Sequence, residues 1–123
     1  MIRQINITAT VATGTTASAT SEFFSGKILK IDMNVTGNSM DINLDTVGEQ
    51  KTQAIFDYTG NTDTTFYPRV ALTDNTGSAL DLSDAQGGDV AMYGEFVVFG
   101  KVTLSLASAA VAETVTVGIT FED

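Results

Sequence analysis

Apolar and polar residues alternate along most of this 123-residue chain, and helical spacing is nearly absent. "KILKIDMNV" sets Leu29, Ile31, Met33 and Val35 on one side and Lys30, Asp32 and Asn34 on the other. "SMDINLD" repeats the scheme, with Met40, Ile42 and Leu44 inward and Asp41, Asn43 and Asp45 outward. "KVTLSL" directs Val102, Leu104 and Leu106 inward, and "ETVTVGITF" does so with Val115, Val117, Ile119 and Phe121. A period of two predicts strands with one dry and one wet face, because successive side chains on a strand point to opposite sides. Weaker strands are "RQINITATV", with Ile5, Ile7, Ala9 and Val11 in phase, then "QAIFDY" and "YPRVALT". "DVAMYGEFVVF" is apolar on both sides, which predicts a strand that is central or covered by a neighbour.

These segments are joined by "TGNS", "YTGNTD", "TDNTG" and "AQGGD", all rich in residues that form tight turns. No stretch is long enough for the helical crossovers that parallel strands need. The expected fold is therefore all-β, an antiparallel two-sheet β-sandwich (jelly-roll-like) of about eight strands, in a single domain over 1–123. "LSDAQ" could place Ser83 as the cap of one helical turn, and "ASAAVAE" is alanine-rich. Both are too short to stand as helices between strands and read as connections.

"EFFSGKILKI" and "EFVVFGKVTLSL" echo one another. Each runs Glu-Phe, then Gly-Lys, then an alternating strand, a small-residue loop and a second alternating strand. Glu22, Phe23, Gly26 and Lys27 correspond to Glu95, Phe96, Gly100 and Lys101. Such an echo fits a duplication with one hairpin per half, or independent use of glycine where a strand must bend.

The only proline, Pro68, lies between the aromatic pair Phe66/Tyr67 and the β-prone "RVALT". Proline cannot donate to a strand ladder, so this position predicts the start of an edge strand, which the turn "DNTG" (Asp74 to Gly77) then ends. Unpaired backbone groups on an edge strand are available to a partner. Phe66, Tyr67, Pro68 and Arg69 are accordingly the candidate partner interface, with rigidly held aromatics as anchors and a lone arginine as charge partner.

Composition narrows the function more than the fold. Six basic against fifteen acidic residues give a net charge of −9. Acidic runs without a base lie between Lys30 and Lys51 and between Arg69 and Lys101, which disfavours nucleic acid and anionic membrane surfaces as partners. No apolar run approaches the ~20 residues of a membrane span, and "MIRQINITAT" does not read as an export signal. The chain lacks His and Cys, so triad and thiolate chemistry have no residues to use. The pairs Asp41/Asp45 and Asp81/Asp84 would need a cleft that separates their pKa values before acid–base work is feasible. Alternation turns the first pair to solvent. "DLSDAQGGD" offers Asp81, Asp84 and Asp89 as oxygen ligands for Ca²⁺ but lacks the EF-hand order. "NIT" at Asn6 and "NVT" at Asn34 match a glycosylation sequon, and no phosphate-binding glycine motif is present. The expectation is a non-enzymatic protein without cofactor or metal.

From "TFYPRVALTDNTG" to the end, the order of elements resembles a group of small structural proteins of tailed bacteriophages. The elements are Phe66-Tyr67-Pro68-Arg69, the Asp74 to Gly77 turn, Gly100-Lys101, the alternating Val115 and Val117, and the final "FED". "SGKILKIDM" is similar to a further strand of that group, whereas "LASAAVAE" stands where a more glycine-rich loop is usual. What the resemblance implies is a capsid decoration (cement) protein, made in the host cytoplasm and bound to the outer surface of the virion head. Its partner would be the major capsid protein, and it would act as a homotrimer that bridges capsid subunits. Other readings from the residues are another virion β-sandwich component (head–tail connector, tail or head-fibre protein) and a carbohydrate- or receptor-binding module.

Overall fold

The computed structural model describes residues 1–83 and 89–123. Among them are eleven strands and no helix: β1 (Ile2–Thr10), β2 (Ala17–Thr20), β3 (Phe24–Thr36), β4 (Met40–Val47), β5 (Ala54–Gly60), β6 (Thr64–Phe66), β7 (Arg69–Ala71), β8 (Asp81–Ser83), β9 (Asp89–Ala91), β10 (Tyr93–Ala107) and β11 (Thr114–Glu122). All pairings are antiparallel. Nine strands form one hydrogen-bonded sheet with the central order β1-β11-β3-β10-β4-β5. In addition, β2 and β7 pair with β10, and β6 pairs with β3. β8 and β9 pair with each other. The connection read from "LSDAQ" and "AQGGD" falls on 84–88, outside the described residues, and Asp84 lies there too.

β10 organises the sheet. Its first half pairs with β3 over Phe96–Gly100, and its second half with β4 over Lys101–Ala107. Partners change at Gly100, whose φ of +142° is open to glycine and rare for other residues. Gly26 in β3 has φ +149°. In register, Phe24 meets Gly100 and Gly26 meets Val98, so the two echoing segments cross about a local two-fold through Ser25 and Phe99. The hairpin expected within each half does not form. β4 pairs with β10 and β11 pairs with β3, so each half lends its second strand to the other.

Inward residues from β1, β3, β4, β5, β10 and β11 gather into one core, with Ile31, Ile42, Leu44, Val98, Val102, Leu104, Val115, Val117 and Ile119 fully buried. No buried side-chain polar atom among the described residues lacks a hydrogen bond. Two phases differ from simple alternation. A bulge opposite Thr120/Phe121 makes Leu29 the extra residue, so Ile28 and not Leu29 is buried. A second bulge opposite Leu44/Asp45 buries both Ile55 and Phe56. "ASAAVAE" is a loop, as expected, with Ser108 and Ala112 at positive φ.

Candidate functional site

The outward side of β10 is where the molecule departs from a dry-inside, wet-outside sheet. Alternation that buries Phe96 and Val98 must turn Tyr93, Glu95, Val97 and Phe99 outward. Among the described residues nothing covers them: Tyr93 is 63%, Val97 60% and Phe99 67% exposed. Phe23, just before β3 and 56% exposed, meets Phe99 edge-on with ring centroids 5.1 Å apart. Together with Val47, Gly48, Gly100 and Lys101 these two rings line an apolar hollow of 350 Å³. A wholly covered aromatic ring hides about 150–250 Å², so the three rings alone leave about 350 Å² of apolar surface in water. That is the size of the largest apolar patch on a typical domain, and such a patch is often a contact surface.

Charge frames the strip. Cross-strand partners share a face, which places Lys27 beside Val97, Arg69 beside Glu95, and Lys101 beside Val47. Three of the six basic residues of a strongly acidic chain therefore border this one surface. Lys27 Nζ lies 3.1 Å from Glu95 and 3.4 Å from Glu122, and hydrogen bonds first to Glu95 and then to Glu122 raise its pKa. Among the described residues, neither Arg69 nor Lys101 is paired with a carboxylate. Glu49, from the β4–β5 connection, accepts the Phe99 N–H at 2.9 Å and fixes the backbone where the strip ends.

The four residues expected to form the interface differ in exposure: Pro68 is buried and Phe66 partly so, while Tyr67 and Arg69 are exposed. Phe66 ends β6 and stacks on Phe56, with centroids 4.3 Å apart and rings nearly parallel at 6°, while Tyr58 meets its edge at 6.0 Å. Pro68 is buried immediately before β7. Tyr67 is 64% exposed, and the exposed Arg69 donates from its guanidinium to the Pro68 carbonyl at 3.0 Å. Arg69 borders the β10 strip, opposite Glu95. Phe66→Ala is therefore expected to lower stability by about 2–3 kcal/mol, the cost of a partly buried ring lost from a stack. Urea unfolding checks this, and an unchanged midpoint would place Phe66 outside the core.

Other polar groups act within the fold. Asp41 accepts from Thr59 Oγ1 at 2.8 Å and faces Ser108 Oγ at 3.4 Å. Asp45 titrates above the ordinary carboxylate range because it is partly buried and then because Asp57 repels its charge. Asp74 closes the turn between residues 74 and 78. Its carboxylate accepts from the Thr76 hydroxyl and from the Thr76 and Ser78 N–H groups, which lowers its pKa. Asn34 donates to Asp63 at 3.2 Å. A shallow hollow of 390 Å³ over Gly118 collects Gln4, Asn6, Asp32, Asn34, Thr65 and Thr116. Among the described residues no three Asp or Glu side chains stand close enough to hold a metal. The calcium candidate includes Asp84, outside the described residues.

The β10 strip was the site missed in the sequence. Its signal was the two-sided apolar pattern of "DVAMYGEFVVF", which calls for a cover that the described residues do not supply. No known protein family, curated protein or solved structure matches this chain.

Proposed function

We propose that this chain is a non-enzymatic capsid decoration (cement) protein of a tailed bacteriophage, bound to the outside of the assembled head and bridging major capsid protein subunits. The observation that carries this reading is the uncovered apolar face of β10 on an otherwise well-packed domain. A protein that leaves three aromatic rings in water on a rigid sheet is built to be completed by an assembly. The acidic surface suits the outer side of a shell better than its DNA-filled interior. The order of motifs from Phe66 to the C-terminal "FED" supports the same assignment. A doubling of the single sheet into the two layers of a sandwich is supported by the one core that collects its inward faces.

Decoration acts by mass action: binding the assembled lattice and not its free subunits stabilises the lattice. Many copies on a symmetric surface turn weak contacts into tight binding. Quantitative mass spectrometry of purified particles tests the proposal. One copy per major capsid protein, or a simple fraction of that, is the expected ratio. Five to about a dozen copies per particle would assign the chain to a vertex or tail instead, and absence would end the virion reading.

The hollow over Gly118 favours a second reading, a carbohydrate-binding module, because amides, hydroxyls and a carboxylate converge there. Titration of the isolated protein against sugars separates the two readings.

A further inference from the structure

A second unsatisfied feature lies beside the strip. From Thr73 to Ala79 the chain leaves the sheet as an arm whose base is held by backbone hydrogen bonds from Leu72 to Met92 at 2.8 Å and from Met92 to Leu80 at 3.1 Å. Leu72 and Leu80 are joined by a backbone hydrogen bond of 3.0 Å, Thr73 and Ala79 form an isolated bridge, and Asp74 closes the tip. Every residue from Thr73 to Asp81 is exposed, Leu80 included, and none belongs to the core. A two-stranded hairpin held only at its base is marginal in water, so the arm gains from a surface to lie on. Its charge is purely acidic, from Asp74 and Asp81.

We propose that the β10 strip of one molecule is covered by the Leu72–Asp81 arm of a second copy of this chain. Charge complementarity selects this occupant. The strip carries Arg69 and Lys101, without carboxylate partners among the described residues, around an apolar centre; the arm carries Asp74 and Asp81 around Leu80. The carboxylates on the strip are engaged within the molecule, Glu95 by Lys27 and Glu49 by the Phe99 N–H, which leaves Arg69 and Lys101 as the cations open to the arm. The exposed rings and the valines Val47 and Val97 supply more than half of the ~800 Å² per partner that a specific interface buries, and the arm adds the rest. The contact joins two different surfaces, so it closes either as a reciprocal pair or as a ring. It needs no capsid, and since it gives the face that carries the proposed function a second copy as its cover, contact with the head would fall to the joined copies.

The absence of cysteine gives a clean test. Leu80→Cys and Val97→Cys chains are prepared separately, mixed and oxidised. The expected product is a disulfide between the two variants, with little self-crosslinking of either alone. Light scattering of the unmodified protein is expected to give a multiple of 12.9 kDa, and Phe99→Asp to return it to a single chain with unchanged circular dichroism. Val97→Cys crosslinking to itself would show strip meeting strip and overturn the proposal. An unmodified chain that stays single up to about 1 mM, where even weak contacts form, would overturn it as well. The outcomes separate from those of the capsid reading. A single chain present in stoichiometric numbers on particles refutes the arm contact alone, and an oligomer absent from particles refutes decoration alone.

Discussion

Gly26→Ala is expected to destabilise the protein by about 3 kcal/mol, lowering the melting temperature by roughly 10 °C. Two effects add. Gly26 has φ +149°, a conformation nearly closed to residues with a Cβ, and a Cβ built there would lie 2.5 Å from the Glu122 carbonyl oxygen. That oxygen belongs to the backbone of β11, so relief would require moving a strand. Phe121, whose ring stands 3.1 Å from the same point and is tilted against Phe24, would move with it. Gly14→Ala is the control. Gly14 also has positive φ, at +73°, but nothing lies within 4 Å of its added Cβ. It should cost only the backbone term of about 1–2 kcal/mol. Equal midpoints for the two variants in denaturant unfolding would mean that the close approach of β3 to β11 is not what fixes Gly26.

The consequence is architectural, because Gly26 and Gly100 lie at the crossing of β3 and β10. That crossing turns Phe99 outward beside Phe23. The contact face and this constrained backbone are thus products of the same bend.

How far the sequence discloses this depends on what alternation can carry. It marks Met40, Ile42 and Leu44, and Val115, Val117 and Ile119, because these lie on strands without interruption and end fully buried or nearly so. It misplaces Leu29, because a bulge changes phase without leaving a mark in the hydrophobic pattern, and the choice between Ile28 and Leu29 is made by pairing with β11. β2, "ASAT", has no large side chain to announce it. It exists because β10 offers an open edge and because Thr20 and Thr103 hydrogen-bond across the pair at 3.0 Å. β10 reads as two segments separated by Gly100, whereas the strand runs through its glycine. At the site, Arg69 was visible as a cation among acids. The aromatic strip was not, since a pattern shows that a strand has two apolar sides and cannot show that one of them lacks a cover. Phe66 reads as an exposed anchor beside proline until the stack on Phe56, ten residues earlier in the sequence, is seen.

Glu113→Ala is the second substitution expected to have a large effect, a loss of about 3 kcal/mol. Glu113 is a carboxylate with only 8% exposure, in a chain whose other carboxylates mostly face water. Its Oε1 accepts the Ala110 N–H at 2.6 Å, and its Oε2 accepts the Asn38 N–H. Its backbone completes the tie: the carbonyl accepts from Val11 at 3.0 Å, and the N–H donates to the Ala110 carbonyl. One side chain thus joins the loop before β11 to the β3–β4 turn, at the end of the sheet where β1 also finishes. Gly37 makes this possible, since a Cβ there would collide with the Glu113 carboxylate. Truncation to alanine removes the acceptor from two part-buried hydrogen bonds, and hydrogen bonds to an ionised acceptor are worth about 1.5–3 kcal/mol each. Glu113→Gln keeps one carbonyl oxygen and turns an amide against the other donor, so about half the loss is expected. Hydrogen exchange localises the effect: the Asn38 and Ala110 amides should lose protection in Glu113→Ala before the β10 amides do. Unchanged protection at both amides would show that the carboxylate is not their partner. Loss of protection there, with particle binding and self-association intact, would establish that this end of the sheet serves the fold and not the contacts.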